Sequence, residues 1–80
     1  MALRFIGKDE KSGVNGSPTV FVDEETSDLV FQGWRIDGAT EAECLAAGPI
    51  PDHETVVRIP ARMVQAIREA CDVAERRELR

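Results

Sequence analysis

A reactive site needs groups that can hold a proton, a metal or a leaving group, and this chain offers few. His53, within Pro51-Asp52-His53-Glu54, is the only histidine. Its carboxylate neighbours Asp52 and Glu54 leave an acid–base or ligand role chemically open. No serine or cysteine is paired with it in a recognisable nucleophile pattern, and a lone loop histidine beside a strand reads first as a solvated surface residue. Cys44 and Cys71 are the only cysteines. With His53 and a carboxylate they would make up a zinc ligand set, but none of them comes as a CxxC or HxxxH pair. Cys71 also falls on the apolar stripe of a helix, so both thiols are expected as free, small hydrophobes in a reducing compartment. The expectation is a protein that is not an enzyme, with no catalytic residue, metal or cofactor. The alternative is a small-ligand or metal site built from His53, Asp52 and Cys44, which requires those side chains to converge on one pocket.

Other chemistries fail on spacing. Gly7-Lys8 and Gly13–Gly16 precede Ser17-Pro18 and a strand, whereas a phosphate-binding loop needs GxxxxGK[ST] running into a helix. The acidic run Asp23-Glu24-Glu25 with Asp28 lacks the DxDxDG pattern of a calcium loop and reads as a charged turn. Arg76, Arg77 and Arg80 sit at the end of a helical pattern, where cations complement the helix dipole without any ligand. The formal net charge of −5 repels phosphate backbones and anionic lipid, which disfavours direct nucleic-acid binding and a membrane partner.

The elements that would position any site are clearer. Leu3-Arg4-Phe5-Ile6 reads as a short strand ended by Gly7. Lys8 to Ser17 is rich in turn formers and reads as a flexible loop. Thr19-Val20-Phe21-Val22-Asp23 and Leu29 to Ile36 are β-branched or aromatic runs on either side of a polar turn, hence a hairpin. Gly33 inside the second run marks a bulge or a close approach of backbone. Thr40-Glu41-Ala42-Glu43 has capping-box form and opens a short helix that Gly48-Pro49 ends. Glu54 to Ile59 is a further strand. Pro60 opens an amphipathic helix whose apolar stripe is Met63, Val64, Ile67, Ala70, Cys71 and Ala74. Its last residues, 76–80, are expected to fray.

The expected fold is therefore one α+β domain over residues 1–80. A small, mostly antiparallel sheet of three or four strands carries the C-terminal amphipathic helix on one face, with a short helix in the connection. Eighty residues, 42 % of them hydrophobic, build one modest core worth about 3–5 kcal/mol. Disulfide and metal staples are not indicated, which leaves self-association as the supplement. No apolar run approaches the length of a signal segment or a spanning helix, so the chain is expected in the cytoplasm.

Along the second strand Leu29, Phe31, Gly33 and Arg35 alternate with Val30, Gln32, Trp34 and Ile36, and neither set is cleanly polar. One helix cannot cover two apolar sheet faces. Trp34, the sole tryptophan, is thus either a core residue or an interface anchor. Phe21, Phe31 and Trp34 are the expected contact residues of a homodimer or other protein–protein interface.

The block Ser17-Pro18-Thr19-Val20-Phe21-Val22-Asp23-Glu24-Glu25, continued by Asp28-Leu29-Val30-Phe31-Gln32-Gly33-Trp34, resembles a family of small uncharacterised proteins of Streptomyces and related actinobacteria. Pro49-Ile50-Pro51-Asp52-His53-Glu54 and Val57-Arg58-Ile59-Pro60-Ala61-Arg62-Met63 extend the likeness over most of the chain. More distantly, the order of hairpin, strand, Ile59-Pro60-Ala61 and short amphipathic helix is similar to the BldB-like family of actinobacterial regulators. The chain lacks that family's N-terminal Trp-x-Lys-Ser-Ser segment and has Met63 and Val64 where an aromatic stands early in the helix. The resemblance implies a self-associating accessory of a transcriptional regulatory system, with a helix-turn-helix regulator as partner, and it carries no catalytic residue.

Overall fold

The computed structural model of the protein describes residues 2–11 and 17–78. Three antiparallel strands, β1 (Leu3–Lys8), β2 (Thr19–Asp23) and β3 (Leu29–Gln32), form a meander in the order β1-β2-β3. A separate two-stranded ribbon joins β4 (Trp34–Arg35) to β5 (Val57–Arg58), with helix α1 (Gly38–Ala47) between them in sequence. A short 3-10 turn at Ala61–Met63 leads into the C-terminal helix α2 (Val64–Glu78). The protein is thus α+β: a mostly antiparallel sheet, a C-terminal helix, and a short helix in a connection.

Alternation decides which face α2 covers. Val20 and Val22 of β2 are completely buried and form the core with Met63, Ala70 and Val73. Ile6, Ile59, Ala66, Ile67 and Ala74 close around them. The buried stripe of α2 therefore includes Ala66 and Val73, which the sequence pattern did not single out, while Val64 is left exposed. Met63, Ala66, Ile67, Ala70, Val73 and Ala74 keep the three- and four-residue spacing of one helix face, centred one flank over from Val64 and Cys71. Pro60 has extended backbone and caps that turn from outside rather than lying within its first residues.

The first strand runs further than its composition implies. Phe5 pairs with Phe21 and Gly7 with Val20, so Ile6 and Gly7 together oppose one residue in a bulge. The bulge lets Ile6 join the core and carries the strand on to Lys8. A Cβ at Gly7 would lie 3.2 Å from the Cβ of Ala66, so glycine there allows α2 to lie close on β1.

The run Leu29 to Ile36 is not one strand. It divides at Gly33, and β4 leaves the meander to pair with β5, Trp34 opposite Arg58 and Arg35 opposite Val57. The strand expected over Glu54 to Ile59 shortens to Val57–Arg58, because the Glu54 amide donates to the Pro51 carbonyl and closes a turn first. Helix α1 begins three residues earlier than the capping-box pattern indicates. Asp37, not Thr40, is its N-cap, with the carboxylate accepting from the Thr40 amide at 2.8 Å. Asp37 and Thr40 have the same three-residue spacing as Thr40 and Glu43, and the aspartate wins as the stronger acceptor. Gly48 ends the helix as expected.

Helix α1 buries none of its residues. Its link to the ribbon is a hydrogen bond from Arg58 to the Thr40 hydroxyl at 2.6 Å. The radius of gyration is 14.1 Å, against about 12 Å for a compact domain of this length. Among the described residues no helix covers the second face of the meander: α2 lies on the Val20–Val22 side and α1 buries none of its residues.

Candidate interaction surface

Register places side chains on the two faces of the meander. Lys8, Thr19 and Gln32 form one cross-strand row, Phe5, Phe21 and Val30 the next, and Leu3 and Asp23 a third. These rows point away from α2, since they alternate with Val20 and Val22. Phe5 and Phe21 meet edge to face, with ring centroids 6.3 Å apart at 76°. Phe5 is 57 % exposed and Leu3 40 %, while Phe21 and Val30 are half-buried by each other and by their neighbours. The result is an apolar centre on the side of the sheet away from α2, with Lys8 at one end and Asp23 at the other; at the Lys8 end Thr19 is buried, and the Ser17 carbonyl accepts from both the Thr19 hydroxyl and the Gln32 side-chain amide.

The expected contact residues do not share this surface. Phe21 lies on the open face. Phe31 pairs with Val20 and so lies on the helix side, as does Leu29 opposite Val22. Both stay 37–38 % exposed, because α2 lies mainly over β2 and β1 and reaches β3 least. Trp34 belongs to the separate ribbon and is 40 % exposed, neither a core residue nor fully presented. Leu3 and Phe5 join Phe21 instead. Their alternation along β1 was available in the sequence, but the side of the sheet taken by α2 was not.

The alternative site has no such geometry. Asp52 and His53 sit in the turn after Pro51, and Cys44 is half-buried on α1. His53 is exposed, with its Nε2 3.9 Å from the Glu54 carboxylate. Among the described residues no group of three or more His, Cys, Asp and Glu side chains could hold a metal ion. Cys44 and Cys71 are free thiols.

One buried charge had no signal in the sequence. Asp9 follows β1 directly, within the stretch Lys8 to Ser17 that composition marks as a loop, and is 3 % exposed. Arg62 donates to both of its carboxylate oxygens, Nε at 2.7 Å and a terminal nitrogen at 2.6 Å. The Lys11 amide donates to the same carboxylate, and the Asp9 amide donates to the Pro18 carbonyl. These bonds tie Asp9 to Pro18 and to the 3-10 turn that precedes α2; residues 12–16 lie outside the described residues. The hydrogen bonds from Arg62 to Asp9 raise the guanidinium further above its ordinary value. The two residues are fifty-three positions apart, so no local pattern pairs them. At the other end of the chain α2 continues through Glu78. Residues 79–80, part of the expected frayed segment, lie outside the described residues, as does the side chain of Arg77.

Among the described residues no helix is long and apolar enough to cross a membrane. Comparison of the chain with family models, curated proteins and solved structures finds no match.

Proposed function

We propose that this protein is a non-catalytic interaction module that self-associates, serving as a cytoplasmic accessory of a transcriptional regulatory system. The observation that carries the interaction reading is the open apolar face built on Leu3, Phe5, Phe21 and Val30. The second face of an antiparallel sheet can meet water when it is polar, but here the face opposite α2 carries the apolar row Phe5, Phe21 and Val30, which gains by being buried against another element. The aromatic pair at the centre supplies a large, rigid contact area at low entropic cost. The regulatory context rests on the family resemblance alone, and a helix-turn-helix regulator is the partner that it suggests.

The test is the solution mass by light scattering over a dilution series, for the wild type and for Phe5→Ser. A wild type that passes from dimer to monomer on dilution, with the variant monomeric throughout and unchanged in circular dichroism, supports the reading. A wild type that is monomeric at every concentration defeats self-association.

A further inference from the structure

We infer that the second copy packs face to face on the open side of the meander, with its strands reversed, so that Lys8 of each copy meets Asp23 of the other. This inference rests on the self-association reading and adds the surface and the orientation. A two-fold interface must be self-complementary, each patch meeting its own image. For two stacked sheets the axis lies in the plane between them, either across the strands or along them.

The charges separate these two choices. The rows of the face run Lys8, Thr19, Gln32, then Phe5, Phe21, Val30, then Leu3 and Asp23. An axis across the strands through the middle row stacks Phe21 on Phe21 and Phe5 on Phe5. It also exchanges the outer rows, so that the lysine end lies over the aspartate end of the partner. Lys8 is exposed, and its long side chain can reach one strand over to Asp23. An axis along the strands keeps each row on its own image and brings the two Asp23 carboxylates together on the central strands. Like charges set against each other across an interface disfavour that arrangement. Aromatic rows stack in both; only the crossed arrangement also pairs the charges.

The size of the patch sets its strength. Three strands spaced about 4.8 Å apart and four residues of about 3.4 Å rise give a face roughly 14 Å on each side. That is well below the area of a standard interface, roughly 800 Å² per partner, so the dimer is weak and dissociates in the micromolar range or above. A weak dimer is one whose rim charges have a measurable effect.

Charge reversal reads the orientation by analytical ultracentrifugation. Lys8→Glu and Asp23→Lys each turn two symmetric attractions into repulsions, and each should weaken the dimer about tenfold. The chain carrying both reversals should return to within about threefold of the wild type. Asp23 also accepts from the Glu25 amide in its turn at 2.9 Å. Asp23→Asn, which keeps an acceptor and loses the charge, is therefore run beside it and should weaken the dimer less than the reversal does. Circular dichroism confirms that each variant is folded. A wild-type dimer whose affinity ignores both single reversals, or a double reversal no tighter than the singles, overturns the crossed arrangement while leaving self-association intact. A wild type that never dimerises defeats both.

Discussion

Gly33→Ala should be among the most damaging single-methyl additions to this chain. A Cβ at residue 33 would lie 2.7 Å from the Arg58 carbonyl oxygen, 2.8 Å from Ile59 Cδ1 and 3.1 Å from Val57 Cβ. The isoleucine tip can rotate away, but the carbonyl belongs to β5, which is held by its pairing with β4. Relief therefore requires the ribbon to shift, and Ile59 with it, although Ile59 closes one side of the core. Overpacking of this kind costs about 1–3 kcal/mol, a large share of the roughly 3–5 kcal/mol that a chain of this size holds. With a urea dependence of about 1 kcal/mol/M, the unfolding midpoint should fall by about 1–3 M. Trp34 lies in β4 itself, so its emission reports the ribbon while circular dichroism reports the helices. If the damage stays local, the fluorescence transition moves and precedes the dichroism transition; if the ribbon and core unfold together, both move. Gly38→Ala is the matched control, since a Cβ there meets nothing within 4 Å. A Gly33→Ala variant within about 0.3 M of the wild type by both probes would refute the close approach of the backbone at Gly33.

Other outcomes follow from single features. Ser27 has a left-handed backbone at φ 66° in the β2–β3 turn, so Ser27→Gly should stabilise the fold by about 0.5–1 kcal/mol, read from the urea midpoint. The Thr40 backbone amide, then its hydroxyl, lowers the Asp37 carboxyl below its ordinary value of 3.8. A lowered carboxyl contributes its stability in full above that value and loses it as the pH falls through the folded one. Helix content measured by circular dichroism should therefore fade in acid for the wild type and be reduced at all pH values in Asp37→Ala. Asp37→Asn should keep the helix and lose this pH dependence. Arg62→Met leaves the buried Asp9 carboxylate without its two-pronged partner and should lower the urea midpoint more than Arg62→Lys, which restores a charge but not the fork. Trp34→Ala should leave the solution mass unchanged at every dilution, because the ribbon lies outside the proposed contact.

Much of the fold is visible in short-range chemistry. The β-branched run Thr19 to Asp23, the polar turn after it and the three- and four-residue spacing from Met63 onward each satisfy one local rule, and each forms its expected element. The failures occur where a distant partner decides. Gly33 signals a close approach, but only the position of β5 shows that the chain changes sheets there. Asp37 and Thr40 are both acceptable caps, and the choice between them depends on acceptor strength rather than on pattern. The pairing of Asp9 with Arg62 depends on where the 3-10 turn before α2 falls relative to the end of β1, which no window of sequence contains. The surface is divided in the same way. Alternation shows that the sheet has two apolar sides, while the side left open, and hence the separation of Phe21 from Phe31, follows from the direction in which α2 crosses β2.

Amide spectra of the nitrogen-labelled protein, recorded over a dilution series, locate self-association residue by residue. The expected result is a set of concentration-dependent shifts confined to β1, β2 and β3, strongest at Phe5 and Phe21 and extending to Lys8 and Asp23, with α1 and the ribbon unmoved. Shifts centred on Trp34 and Leu45 would move the contact to the arm, and spectra that ignore concentration altogether would contradict self-association through the open face.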